Sequence, residues 1–197
     1  MMRRTILLLT TMTIAVLLAS GVALAATFRN TDGITINDSI TPPTIATPYP
    51  SEIPVSGLSG TVTDVNLKLG GFRHSEPDDV DVLLVGPSGA NAIVMSDMGG
   101  ADRVRKLHFV LDDEAASSLP DGSPLTGGTF QPTNHLEVGG TDDSWPSPAP
   151  SPSGGSALSV FDGTDPNGTW KLYVVDDAGI DSGLLHRWAL RIRTATT

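Results

Sequence analysis

The sequence predicts an all-β fold, a β-sandwich or barrel built from many short strands. Apolar and polar residues alternate in several runs, which is the period of a strand buried on one face. The 21 glycines and 15 prolines mark the turns between those runs and disfavour long helices. A helical turn is expected only at 112–119, which has no long apolar period. Short strands separated by Gly/Pro turns are typical of sandwiches and barrels.

Six runs carry the strand pattern most clearly. The run 65–69 alternates regularly, whereas 80–85 is apolar at almost every position and predicts a strand buried on both faces. Trp170 and Trp188 lie on the apolar stripes of the last two runs, so we expect both indoles in the core. The arginines of the last run point the opposite way. The predicted strands are 65–69, 80–85, 92–95, 107–111, 170–174 and 188–192.

Two segments lie outside this pattern. The segment 38–50 holds four prolines and is expected to lead in along the edge of the sandwich. The segment 142–156 is a Pro/Ser/Gly loop inside the domain, with no evident means of packing a core. Trp145 lies in this loop, so we expect it to be exposed and its replacement to change stability by less than about 0.5 kcal/mol.

The N-terminus has the features of a cleavable signal peptide. Arg3 and Arg4 precede an uncharged apolar stretch, 5–19, and the small-x-small pattern recognised by signal peptidase ends at Ala25. We therefore expect a signal peptide at 1–25, a single domain at 26–197, and a secreted or cell-surface protein. No membrane attachment is expected once the signal is removed.

The charge and composition restrict the partners. Without Arg3 and Arg4, 10 basic residues face 22 acidic ones, for a net charge of −12. Nucleic acid and anionic lipid both require a basic face, so neither is an expected partner. The chain has no cysteine, so disulfides and thiolate metal sites are excluded.

Several ordered motifs resemble the P domain (P/Homo B) of kexin- and furin-type proprotein convertases, in its free-standing bacterial branch. The residues 74–87 read HSEPDDVDVLLVGP, and 165–170 read DPNGTW. Leu-x-Val-x-Asp, Ser-Gly-Leu and Trp-x-Leu-x-Ile follow in that order, through Ile192. The resemblance implies a jelly-roll-like antiparallel β-sandwich over 26–197. In the convertases this domain packs against a subtilisin-like protease and supports its folding.

No enzymatic activity is expected. The domain that carries the family's catalytic triad has no counterpart in this sequence, and no nucleophile–base arrangement replaces it. His74 is interpreted as a loop histidine that hydrogen-bonds a neighbour. The preferred function is a structural or protein-interaction module. The alternatives are an accessory domain that docks on a separately encoded subtilisin/kexin-like serine endopeptidase, and a carbohydrate- or surface-binding adhesin, which an exposed aromatic strip would favour.

Clusters of carboxylates predict a calcium site. Calcium prefers six to eight oxygen ligands on flexible loops. If the strand that begins at Asp79 pairs antiparallel with the strand that ends at Asp176, both acidic pairs lie at one end of the sheet. The candidate ligands are Asp78, Asp79, Asp176, Asp177 and Asp181. Further acidic residues are Asp81, which follows the first pair, and the clusters 112–114 and 142–143.

Overall fold

The computed structural model describes residues 24–135, 143–153 and 155–195. Residues 1–23 of the predicted signal peptide lie outside this part. All regular structure in the described residues is β-strand or 3₁₀-helix, and none of their helices is long and apolar enough to cross a membrane. The 3₁₀-helices are Pro77–Asp79 and Leu158–Phe161. The strands are β1 Leu24–Asn30, β2 Ile34–Ile36, β3 Thr44–Ile45, β4 Ser51–Val55, β5 Thr61–His74, β6 Val80–Val85, β7 Asn91–Ser96, β8 Val104–Leu111, β9 Gly128–Phe130, β10 Thr133–Asn134, β11 Gly168–Asp176, β12 Gly183–Leu185 and β13 Arg187–Ala195.

The strands form two sheets that pack as a sandwich. The first sheet has the order β1-β13-β5-β12-β2, with β8 on the other side of β5 and β9 beyond it. The second sheet has the order β10-β7-β6-β11-β3, and β4 also pairs with β11. All six predicted strands are present. The expected helical turn at 112–119 is absent. This segment instead has a turn at 113–114, a bend at 116–117 and a β-bridge at Ser118. The proline-rich segment leads along the sandwich edge, as expected, through β3.

Both sheets are mixed, whereas the resemblance implied antiparallel sheets. Strand β9 runs parallel to β8, and β10 runs parallel to β7. The physical reason is the long connection that follows β8. Its 16 residues, 112–127, are enough for a crossover, and parallel neighbours require one, whereas a tight hairpin can only join antiparallel strands.

The core lies between the sheets and contains both predicted tryptophans. Trp170 is 0% and Trp188 1% exposed, which confirms their placement. Each buried indole N–H has an acceptor, Pro166 O at 2.9 Å for Trp170 and Ser51 Oγ at 2.9 Å for Trp188. The two largest core side chains are therefore buried without an unpaired donor.

Strand β6 is buried on both faces, as predicted, and the cover on its outer face comes from the Pro/Ser/Gly loop. Val82 and Leu84 point into the main core, whereas Leu83 and Val85 form a second, smaller cluster. The described residues 143–153, here the covering segment, pack on that cluster through Trp145. The expectation that this loop cannot pack is therefore wrong, and so is the expectation that Trp145 is exposed, because its indole is half-buried.

Hydrogen bonds hold the covering segment along its length. The hydroxyls of Tyr49 and Tyr173 donate to the carbonyls of Pro146 and Pro148, at 3.0 and 3.3 Å. The two tyrosine rings meet edge to face, with centroids 4.9 Å apart. Ser153 N–H donates to Asn91 Oδ1 at 3.0 Å. Proline carbonyls thus serve as acceptors for the hydroxyls of one half-buried and one buried tyrosine, a packing role that composition alone does not reveal.

Candidate functional site: an acidic sheet end and a basic groove

The acidic residues after β11 and before β6 meet at one end of the second sheet. Asp176 is opposite Val80 in the antiparallel register, and Asp177 N–H donates to the Asp79 carbonyl at 3.0 Å. The strand pairing expected from the sequence is thereby confirmed. The pairing does not determine which of these carboxylates could bind an ion, because adjacent backbones do not fix where the side chains point.

Three carboxylates converge in the first group at this end. Glu76, Asp79 and Asp181 each place one oxygen within 4.8 Å of the others. Asp79 and Asp181 were candidates from the sequence, whereas Glu76 was missed. The signal for Glu76 was its position just before the Pro-Asp-Asp turn, which folds into a 3₁₀-helix and turns the chain back on itself. This group has the oxygen chemistry that calcium prefers.

Asp78 and Asp176 are engaged by other groups. Asp78 Oδ1 accepts the Gly100 N–H at 3.2 Å. The fully buried Asp176 accepts the Ala178 N–H at 3.3 Å through Oδ1 and bonds His74 Nε2 at 3.2 Å through Oδ2. The hydrogen bonds of these two carboxylates therefore lead away from Glu76, Asp79 and Asp181.

His74 is the buried last residue of β5 rather than a loop residue. Its Nδ1 lies 2.6 Å from the Glu76 carbonyl, and its Nε2 faces Asp176. Burial lowers the pKa of His74, but the hydrogen bonds to Asp176 and Glu76 outweigh burial, so that the pKa is raised above its ordinary value. When the imidazole is protonated, both of its ring nitrogens can donate, Nδ1 to the Glu76 carbonyl and Nε2 to Asp176.

Asp79 has a strongly perturbed carboxyl group. Burial, followed by the negative charges of Glu76 and Asp176, raises the pKa of Asp79 to about 7, although His74 acts in the opposite sense. The first group therefore binds a proton near neutral pH when no cation is present. A cation bound to these oxygens displaces that proton.

A second group of carboxylates lies nearby and was not recognised from the sequence. Asp81, Asp97 and Asp143 also place one oxygen each within 4.8 Å of one another. Asp97 was not among the candidate ligands predicted from the sequence, and Asp81 was grouped with the neighbouring acidic pair, Asp78 and Asp79. The alternation of β6 separates them, because Asp81 shares the outer face of the strand with Leu83 and Val85.

Asp81 is the most deeply buried acid of this group, at 0% exposure. Neither of its oxygens forms a hydrogen bond with a described residue. Burial raises the pKa of Asp81 well above its ordinary value, and the charges of Asp143, Asp177 and Asp97 raise it further. The Ser96 hydroxyl acts weakly in the opposite sense, but it donates to Asp97 Oδ2 at 2.9 Å.

The outer face of the first sheet has the opposite charge. A groove of about 650 Å³ crosses β1, β13, β5 and β8. In the strand register Arg29 and Lys68 flank Ala189 from its two sides, so all three side chains share this face. Arg187 lies over Gly70, where a Cβ would come within 2.9 Å of its Cγ. The basic residues that line the groove are Arg29, Lys68, Arg187 and Arg191.

The aromatic residues do not form an exposed strip. All ten phenylalanine, tyrosine and tryptophan residues belong to the described part of the chain, and each is buried or half-buried. The half-buried ones are Phe28, Tyr49, Phe130 and Trp145. A flat stacking surface for sugar rings is therefore absent from the described residues.

Comparison with known proteins supports the resemblance in the C-terminal part of the chain. The family model of the proprotein convertase P-domain matches residues 138–192. This range contains β11, β12 and most of β13, and it confirms the P-domain resemblance that the motifs indicated. In the convertases this domain is a non-catalytic accessory of the protease. No curated protein matches the chain.

Proposed function

We propose that this protein is an exported, non-catalytic P-domain module that binds another protein through the basic groove of its first sheet. The groove carries this proposal. A domain with a net charge of −12 after signal removal repels acidic proteins over most of its surface, yet four of its cations surround one groove. Such a charge pattern steers an acidic segment of a partner to that place.

The charge pattern of the groove gives a direct test. Binding of a fluorescein-labelled hexaglutamate peptide is followed by anisotropy. The double variant Arg29→Glu with Arg187→Glu should lose binding, whereas Arg103→Glu, which changes an exposed arginine outside the groove, should retain most of it. Wild-type binding should weaken with salt, because exposed charges are screened within about 8 Å at physiological ionic strength. Equal loss in the control and the double variant would contradict the proposal.

A separately encoded subtilisin-like protease is the partner class that the family match favours. P domains of convertases accompany such a protease. Capture from culture supernatant with the wild type and with the groove double variant would identify the partner. A subtilisin-like protease held by the wild type and released by the variant supports an accessory role. The adhesin alternative has less support, since the described residues lack an aromatic strip.

The module itself is proposed to be catalytically inactive. The family match concerns a non-catalytic accessory domain, and the buried His74 bonds a carboxylate rather than a nucleophile. The purified protein should therefore not react with a fluorophosphonate probe for serine hydrolases. Stoichiometric labelling would overturn this part of the proposal.

Calcium is proposed to stabilise the module at the acidic end of the second sheet. The convergence of Glu76, Asp79 and Asp181 supports this assignment. Asp177 lies beside Asp79 through its backbone. Asp78 and Asp176 have partners within the protein, so we assign them supporting positions around the ion rather than direct contact with it.

A further inference from the structure

We propose that Asp81, Asp97 and Asp143 bind a calcium ion of their own, in a buried site at the start of the covering segment. One oxygen from each carboxylate lies within 4.8 Å of the other two. This group shares no residue with Glu76, Asp79 and Asp181, and it lies on the opposite sheet from the basic groove. The inference therefore depends neither on the groove nor on the first calcium site.

Asp81 is the observation that points to a ligand. Its side chain is fully buried, and both of its oxygens lack a hydrogen-bond partner among the described residues. The charged groups that act most strongly on it, Asp143, Asp177 and Asp97, are all acidic. By contrast, Asp64, in a third carboxylate group, has Arg193 3.4 Å away. A buried carboxylate is tolerated when it is paired or coordinates a metal, and among the described residues no basic side chain forms an ion pair with Asp81.

Three separate parts of the chain bring the carboxylates together. Asp81 lies on β6 just before Val82, which pairs with Met95 of β7. Asp97 follows the end of β7 with φ of 54°, a left-handed conformation that aspartate tolerates better than most residues. Asp143 is the first residue of the covering segment. A site built from a strand, a tight turn and a loop cannot be recognised from sequence spacing.

The ligand chemistry selects a hard cation. The group offers only oxygen, and histidine and cysteine, which zinc and copper prefer, are absent from it. A further buried oxygen without a hydrogen-bond partner among the described residues, Asn134 Oδ1, belongs to the residue that pairs with Ser96 in the register. Calcium accepts carboxylate and amide oxygens together and tolerates irregular geometry, whereas magnesium demands a near-octahedral site.

Such an ion connects the covering segment to the sheet. Asp143 lies two residues before Trp145, whose ring packs on the second cluster. Calcium should therefore hold the start of the segment down and shield this indole from solvent. Trp170 and Trp188 are already 0% and 1% exposed, so quenching of tryptophan fluorescence by acrylamide reports mainly on Trp145.

The test is calcium titration of the purified protein, freed of metal with EDTA, in a calorimeter. Asp81→Asn and Asp143→Asn should each remove one binding event or weaken it at least about 10-fold, the low end for changes at a metal site. Asp79→Asn, in the neighbouring group, is the matched control and should retain this event. Calcium should also reduce acrylamide quenching in the wild type and in Asp79→Asn, but not in Asp143→Asn.

Two results would overturn the inference. The first is that Asp81→Asn and Asp143→Asn both bind calcium as the wild-type protein does. The second is no binding by the wild type up to about 10 mM, above the range of extracellular modules. Either would show that Asp81 and Asp143 are not calcium ligands. If Asp81→Asn does not fold, calcium binding by Asp143→Asn decides the question, because the replaced side chain is only half-buried. Failure of the first calcium site, at Asp79, would not remove the binding event assigned to Asp81, Asp97 and Asp143.

Discussion

On the outer face of the first sheet, Arg29 and Lys68 are exposed to solvent, whereas on the outer face of the second sheet Leu83 and Tyr173 are buried under the covering segment. The inner faces of both sheets share one apolar core. The sandwich fold alone therefore does not determine whether an outer face is open to solvent or covered by another segment. One face remains open and carries the cations of a groove, and the other is closed by the covering segment, whose Asp143 lies beside the buried Asp81 and Asp97.

The difference shows where sequence patterns are informative. A strand that is apolar on both faces, such as β6, requires a second cover, and residues 143–153 of the predicted loop provide it. Conversely, a strand such as β13, in which arginines alternate with apolar residues, requires one face to remain open. The pattern of the strand thus determines whether its outer face is available to a partner.

The largest expected effect concerns the core that both faces share. Trp170→Ala and Trp188→Ala should each cost about 3–5 kcal/mol, because a buried aromatic side chain is replaced by a cavity. Both changes also remove an indole donor that is bonded in the core. Denaturant unfolding measures the loss, and near-wild-type stability of either variant would contradict the strand assignment.

The comparison is sharpened by equivalent truncations on the two outer faces. Trp145→Ala should cost about 1–2 kcal/mol, somewhat less than the value for a fully buried side chain, because the ring is half-buried against the second cluster. Arg187→Ala, on the open face, should change stability by less than about 0.5 kcal/mol. An equal loss of stability in the two variants would show that the covering segment contributes no more to stability than an exposed surface does.

The strands, the buried tryptophans and the P-domain resemblance could be predicted because they depend on local alternation and short motifs. The role of the loop could not, since proline and serine bury little apolar surface of their own. Its packing depends on the Trp145 ring and on the hydrogen bonds from Tyr49 and Tyr173 to the carbonyls of Pro146 and Pro148. The acidic end was predicted from strand pairing. The split into two carboxylate groups was not, because it depends on the 3₁₀-helix at Pro77–Asp79 and the turn at Asp97.

The acidic end should make stability depend on both pH and calcium. Because the pKa of Asp79 is raised to about 7, the folded protein keeps this proton to a higher pH than the unfolded chain. The stability from this group is therefore present below the ordinary aspartate range and is lost as pH rises through about 7. Without metal, the melting temperature should fall over this window, and Asp79→Asn should remove that part of the fall.

Calcium should oppose the loss at high pH. At about 1 mM calcium, a site with a dissociation constant of about 10⁻⁴ M adds about 1.4 kcal/mol, or roughly 3–6 °C in melting temperature for a domain of this size. The shift should be larger at pH 8 than at pH 5.5, since protons compete for the same oxygens. NaCl at matched ionic strength is the control, and an equal shift with NaCl would indicate screening instead of binding.

The most direct test of the contrast between the two faces is hydrogen–deuterium exchange in the presence and absence of the hexaglutamate peptide. We expect slower exchange in 24–31 and 187–191, which border the basic groove, and no change in 80–85 or 143–153. The variant Arg29→Glu with Arg187→Glu should show no peptide-dependent protection. Protection confined to the covering segment and the second sheet, or none at all, would contradict the proposal that the open basic face is the binding surface.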